Sequence, residues 1–427
     1  MNKPSGNPKI LLWGFCLYAV LSLGSMATMS IAATVLLVCL LAGHGGFLGL
    51  GRSLREELRQ PKSRFVFFAG LALFNACALS LLVARFFPLS FNQKTPEIHF
   101  GADLAKAWYL FWPLFLTAGL RTVGDSGRAK IIKVWLVTFA IISVVGVVQF
   151  FTGWPREQAI PGLAGRFHAT LFLGHHLSVA SILIFPFFAA LDGLFHPTEM
   201  IKIGLSRKFI AAAIFLGALT LFFSFSRTLW VALPVGVGLF LFWNLSRRVA
   251  IPLLIVSVLA GWALTFHPAV HDRLETAMGI GTRQELWSAN WEFFKLRPLT
   301  GAGWHKNLEL AGHYLQEKYP GRENFVGHAH NGFLEMLGST GALGTIAWLV
   351  WVGWVFVELF GRARRGEFLA RGFFCAWLVF HINGLTQVNF WESKVLHQVM
   401  WVASLILVSA PRSVSHSRLV CDVKATK

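Results

Sequence analysis

The residues best suited to chemistry in this chain are arginines and histidines standing among apolar neighbours: Arg166, Arg227, Arg283, His328 and His330. A guanidinium stays charged at any working pH and offers a planar fork of donors that matches phosphate oxygens. An imidazole titrates near neutrality and is the usual general base. Nearby arginines favour its neutral, proton-accepting form, because protonation would add a further positive charge. These types suit a reaction on a phosphate-bearing substrate in which a proton is taken up. Two blander readings stand beside this one: an arginine that only snorkels to the headgroup layer, and a histidine that only caps a helix.

Arg227 sits in Phe223-Ser224-Phe225-Ser226-Arg227-Thr228-Leu229-Trp230, where a few polar residues separate two apolar runs. His330 ends Gly327-His328-Ala329-His330, with Asn331 next and Glu335 five residues on, inside the following run. His175-His176 suits metal ligation or a proton relay, but adjacent residues on a helix point about 100° apart, and polar packing is favoured. Glu97, Asp103, Glu157 and Asp272 are scattered, with no Asp-x-Asp pair of the kind a diphosphate-bridging cation favours. We expect no metal and no cofactor.

What positions these side chains is read from composition. The 427 residues are 55% hydrophobic and only 14% charged, with 40 Phe and 17 Trp, far more apolar than a soluble domain. Runs of ~20 apolar residues recur, each able to cross the hydrocarbon core as a helix. They fall at Ile10–Ala42 (two spans broken near Gly24 to Thr28), Arg64–Phe86, Leu104–Leu120, Ile131–Phe151, Ala169–Leu194 and Lys208–Phe225. Others follow at Thr228–Leu245, Val249–Phe266, Phe333–Phe360, Phe368–Thr386 and Val395–Ala410, twelve in all. The expected fold is an all-α integral membrane protein of about 12 transmembrane helices.

The net charge of +18 suggests nucleic acid only until its location is considered. Alternate loops hold the Lys and Arg: 52–64, 121–133, 202–208, 247–248 and 362–371, together with both termini. The positive-inside rule therefore puts both termini in the cytoplasm and the candidate residues on the opposite face, with membrane lipids rather than nucleic acid as partners. The chain divides into spans 1–9 over 1–266, a large outer loop over 267–330, spans 10–12 over 331–410 and a cytoplasmic tail over 411–427. The start of the chain reads as an uncleaved first span. Cys16, Cys39, Cys77 and Cys375 fall in spans and Cys421 in the tail, so no disulfide is expected.

The large loop contains Thr282-Arg283-Gln284-Glu285, a capping-box spacing. It predicts a helix from Arg283 to about Leu296 with Trp287, Trp291 and Phe294 along one face, packed on the spans or lying on the membrane. A second short helix is expected from about Leu308 to Tyr319, before Pro320-Gly321.

His330-Asn331, nine residues, Gly341, two residues and Gly344 resembles the signature of the O-antigen ligase and polymerase superfamily. Gly165-Arg166-Phe167-His168, Ser226-Arg227, and Arg283 with Trp287, Pro298, Gly301, Gly303 and Trp304 resemble other family segments. Where many relatives have an Asn-Pro pair this chain has Gly174-His175-His176. The resemblance implies a GT-C-like helical bundle in the bacterial inner membrane, with one large periplasmic loop and a periplasmic active site. The ligase branch moves a polysaccharide from undecaprenyl diphosphate to a sugar hydroxyl of lipid A-core, and that is the implied chemistry. His330 would be the base of a metal-independent, inverting transfer, and Arg166, Arg227 and Arg283 would stabilise the diphosphate. His328, Asn331 and Trp287 would complete substrate binding, with His328 the other candidate for the base.

A polysaccharide polymerase and a protein O-oligosaccharyltransferase share the donor chemistry and remain alternatives; absence of a large extra outer domain favours the ligase. A transporter is the remoter alternative, kept alive by Asp192, Glu335, Glu358, His381 and Asn383.

Overall fold

The computed structural model describes residues 7–264, 278–321 and 327–408. The tail 411–427, the ends of the spans expected at Val249–Phe266 and Val395–Ala410, Cys421, and parts of the 267–330 loop lie outside the described residues. The protein is all-helical: among the described residues the only strand-like features are isolated bridges, Phe91 with Lys94 and Ala159 with Phe167.

The first helices are α1 (Pro8–Leu21), α2 (Met26–Gly43), α3 (Phe47–Arg59), α4 (Pro61–Phe86) and the short α5 (Phe100–Leu104). The Gly24 region breaks the first apolar run as expected, because Ser25 caps α2 by accepting the Thr28 N–H at 3.2 Å. Helix α3, not anticipated, carries Arg52, Arg55 and Arg59 and is too charged to span.

Helix α6 (Trp112–Thr152) holds two of the expected spans in one segment, broken at Gly124 (φ 73°, ψ −179°). Its course can be followed along the last helix, α16 (Ser393–Val408). Trp112 donates to Tyr18 Oη, which meets His397 near the start of α16, whereas Arg121 reaches the Leu407 carbonyl at its end. Trp135 is back beside Trp401, ring centres 6.4 Å apart. The segment therefore folds back at Gly124, the left-handed position where a side chain would be strained.

The middle of the chain forms α7 (His176–Phe195), α8 (Pro197–Ile203), α9 (Arg207–Phe223), α10 (Arg227–Asn244) and α11 (Arg247–Leu264). Beyond them come α12 (Met278–Leu296), α13 (Asn307–Lys318), α14 (Gly332–Arg364) and α15 (Ala370–Asn383). Helices α7 and α16 are buried on nearly all sides, which is why both read as uniformly apolar. Around them α1 packs on α2 and α6, α4 on α14, α9 on α6 and α7, and α15 on α7 and α10.

By length and apolarity, six helical segments among the described residues can each cross a membrane, or seven if α8 and α9, bent by 98°, count as one span. The expected twelve is not reached on that measure. Several of the expected spans are helices of 14 to 17 residues, and α6 enters as one segment although it doubles back. The four described cysteines are free thiols.

Helices α12 and α13 build a small cap with its own apolar core of Leu286, Ala289, Phe293, Leu310, Ala311 and Leu315, closed by Phe91. Here two expectations are corrected. Helix α12 is already running at Met278, so Thr282 to Glu285 lies inside it rather than at its start. Its buried face is Leu286, Ala289 and Phe293; Trp291 is 48% exposed, because α13 covers the neighbouring stripe. The second loop helix falls where the sequence placed it.

Candidate active site

The site gathers at the first turn of α14. Asn331 caps that helix, its Oδ1 accepting the N–H groups of Phe333 and Leu334, both at 3.0 Å. Its amide oxygen is thus engaged in the cap. His330, just before the cap, has a left-handed backbone (φ 49°) that turns the chain sharply into the helix. Such a conformation costs ~1 kcal/mol or more for a residue with a Cβ. It persists because its neighbours are pinned. The Glu335 carboxylate accepts the Ala329 N–H at 2.9 Å and lies 3.6 Å from His328 Nδ1, and the Gly332 N–H donates to the Gly384 carbonyl at 2.8 Å.

Arg227 is the first residue of α10, and its exposed side chain stands on a buried polar floor. Ser226 Oγ receives Gln387 Nε2 at 3.1 Å, Gln387 also donates to Asn383 Oδ1 at 2.9 Å, and Thr228 meets Thr386. Arg283 comes from α12, with Trp287 one turn on; the Trp287 indole N–H is buried without a protein partner among the described residues. Neither guanidinium has an acidic partner among the described residues.

The electrostatics show that these groups are neighbours. Burial, and next the charge of Arg283, push the His330 imidazole down to about 4, so it is neutral at pH 7. Burial lowers Arg283, and Arg227 lowers it further. His328 is raised: burial works against its charged form, but the Glu335 carboxylate outweighs that effect. Of the two histidines, His330 is thus the neutral one, and His328 faces the Glu335 carboxylate across 3.6 Å. Two uncompensated cations beside a neutral base can bind an anion and take a proton next to it.

Arg166 is not drawn into this cluster by any contact. Its guanidinium lies over the rings of Phe150 and Phe151, 5.8 and 5.2 Å from their centres, and donates to the Gly165 carbonyl. Phe150 stacks on Phe223 at 3.9 Å, which leaves Arg166 behind an aromatic layer that supports the Arg227 turn.

The signature glycine Gly341 opens α14 (φ 61°, ψ −161°) so that the cap can plug into the gap. Ala302 and Gly303 donate to the carbonyls of Gly338 and Ser339 at 2.8 and 3.0 Å, while Ala342 and Leu343 donate to Pro298 and Leu299 at 2.8 and 3.2 Å. This clamp ties the cap that carries Arg283 to the helix that carries His330. The sequence displayed Gly301, Gly303, Gly341 and Gly344 without showing that Gly301 lies against Gly341.

Sequence reasoning also left Glu335 without a role in this site, although a carboxylate in the first turn of an apolar helix was a signal. It missed His305 as well, which burial pushes down to about 4 and whose principal charged neighbours include Lys106, Glu335 and His328.

Fold and site together describe a multi-pass helical membrane protein in which Arg227 and Arg283 neighbour a neutral His330. A protein-family model described as O-antigen ligase matches residues 212–349, from within α9 into α14. The match spans about a third of the chain and is consistent with membership of the O-antigen ligase family, whose members are glycosyltransferase-like enzymes. The matched stretch contains Arg227, Arg283, His328, His330, Asn331 and both signature glycines, whereas Arg166 lies before it. No curated protein matches the sequence.

Proposed function

We propose that this protein is an O-antigen ligase that transfers polysaccharide from undecaprenyl diphosphate to a sugar hydroxyl of lipid A-core. In this reading it works in the bacterial inner membrane, with the site facing the periplasm and both termini in the cytoplasm. His330 takes the proton of the acceptor hydroxyl as its oxygen attacks the anomeric carbon. The bond from that carbon to the diphosphate breaks, the electron pair leaves with the diphosphate, and the anomeric centre inverts. Arg227 and Arg283 stabilise the charge that grows on the leaving group, at a site where partial burial strengthens each charge-assisted hydrogen bond. Trp287 contributes an indole N–H, and His328 positions the segment that bears the base.

The observation that supports the reading is the electrostatic neighbourhood of Arg227, Arg283 and a neutral His330, which come from α10, α12 and the turn before α14. The test is transfer in liposomes from undecaprenyl-diphosphate-linked polysaccharide to lipid A-core, with EDTA present. Transfer that survives EDTA and falls at least ~100-fold in folded His330→Ala supports the mechanism. Full activity in His330→Ala refutes the assignment of the base. Extension of the polymer, or glycosylation of a Ser/Thr peptide instead of lipid A-core, would replace the acceptor and keep the donor chemistry.

A further inference from the structure

A second polar constellation adjoins the candidate base and has no part in the scheme above. It is built where the turn before α16 wedges between α7 and α14. Lys394 Nζ donates to the Leu173 carbonyl at 2.7 Å, Ser178 Oγ donates to Glu392 Oε2, and Trp391 Nε1 reaches Met336 Sδ at 2.8 Å. Met336 follows Glu335 in the first turn of α14, so the turn bearing Glu392 is docked directly on the helix that begins at the base. His175, just before α7, stacks on His176 with ring centres 5.0 Å apart.

Glu392 is half-buried. Ser178 occupies one of its carboxylate oxygens, and the other has no protein partner among the described residues. Lys394 does not neutralise it through a contact, its ammonium being directed to the Leu173 carbonyl.

Arg227 acts on Arg283, and Arg283 on His330. His330 in turn has His328 and His175 as neighbours, and Glu392 acts on both of these. Two unpaired cations thus stand in one chain of neighbours of His330 and the Glu392 carboxylate in another, with Lys394 also acting on His175, Lys106 on His328 and Glu335 on His330 itself. A diphosphate is drawn to the two arginines. A carboxylate is a strong acceptor for hydroxyl donors and recognises a neutral sugar by its O–H groups.

We propose that Glu392, with His175, forms the acceptor subsite and takes hydrogen bonds from hydroxyls of the incoming sugar so that a neighbouring hydroxyl is directed at His330. The assignment rests on the reading of His330 as the base. It makes Glu392 a residue of acceptor recognition, with no share in binding the donor.

The experiment is the liposome transfer assay, with whichever of lipid A-core, polymer or Ser/Thr peptide the wild type glycosylates. KM is measured separately for donor and acceptor in wild type, Glu392→Gln, Glu392→Ala, His175→Asn and His330→Ala. Glu392→Gln keeps an oxygen for Ser178 and so keeps the fold, and its melting temperature in detergent serves as the control. The expected result is an acceptor KM raised at least about tenfold, as for the loss of a hydrogen bond to a charged group, with donor KM unchanged. Glu392→Ala should do the same more strongly, and His175→Asn in the same direction. An unchanged acceptor KM in folded Glu392→Gln, or a rise confined to donor KM, overturns the proposal. A fully active His330→Ala would instead refute the base, leaving Glu392 to be judged on the acceptor KM alone.

Discussion

Replacing Gly341 with alanine tests whether the clamp between cap and bundle sets the geometry of the site. A Cβ at this position would lie 2.4 Å from the carbonyl carbon of Leu299, 2.5 Å from the Thr300 nitrogen and 2.6 Å from the Leu299 oxygen. All three are backbone atoms, so no side chain can swing aside. The segment must retreat by roughly 1 Å to reach ordinary carbon–carbon contact. The left-handed φ of 61° adds ~1 kcal/mol of strain for any residue with a Cβ. The four hydrogen bonds joining 298–303 to 338–343 lengthen together, at up to ~1 kcal/mol each. The local loss is then about 2–5 kcal/mol, and Arg283 shifts relative to His330 by a distance that can lower a rate ~100-fold. The control is Gly353→Ala on the same helix, where a Cβ meets nothing within 4 Å. Thermal unfolding in detergent and transfer rates well below the melting point should separate the two variants. Gly341→Ala should melt earlier and transfer far more slowly, and Gly353→Ala should match wild type. If Gly341→Ala retains wild-type melting and rate, the clamp does not hold the site together and the reasoning fails.

Two further outcomes follow from the site. Because His330 is held down to about 4, the acid limb of kcat/KM should lie near pH 4, with the base still ~97% neutral at pH 5.5. Removing a nearby cation eases protonation, so in Arg283→Gln the limb should move upward, short of the ordinary 6.5 because burial is the larger cause. A limb unmoved in a pH–rate series would show that the Arg283 charge does not act on His330. Arg166→Ala, which removes a guanidinium packed on Phe150 and Phe151, should cost at most about fivefold in transfer, whereas Arg227→Ala should cost at least ~100-fold. Equal losses in the two variants would place Arg166 in the site after all.

What was legible in the sequence is what a local pattern can carry. The apolar runs became helices almost where they were expected. The turn at Ser25 and the helix from Asn307 were marked by residues within a few positions of the event. His330 and Arg283 stood out because a titratable group in an apolar chain is costly unless it is used. The misread features depend on a partner that the local pattern does not name. The Trp287, Trp291 and Phe294 stripe was a reasonable buried face until α13, whose place could not be deduced, covered Leu286, Ala289 and Phe293 instead. The cap bonds of Asn331 were not legible because they depend on where α14 starts. Gly341 was recognised as a motif member, but its reason is a close approach by Leu299, some forty residues earlier in the chain.

On the proposed reading, the arrangement lets one histidine be kept neutral and yet act as a base. The cation that pushes the His330 imidazole down is one of the two that, on the proposed reading, receive the diphosphate. Binding a dianion there offsets the positive field, so the donor raises the proton affinity of His330. By reciprocity, a protonated His330 binds the donor more tightly. The base is therefore weakest in the empty site and strengthens once the donor is in place. Proton uptake is thereby linked to occupancy of the leaving-group site, with no moving part required beyond the substrate itself. This coupling requires Arg283 and His330 to stand at a fixed separation although they belong to different helices. The backbone clamp at Gly341, closed by main-chain hydrogen bonds on both sides of the broken helix, is the feature that fixes it.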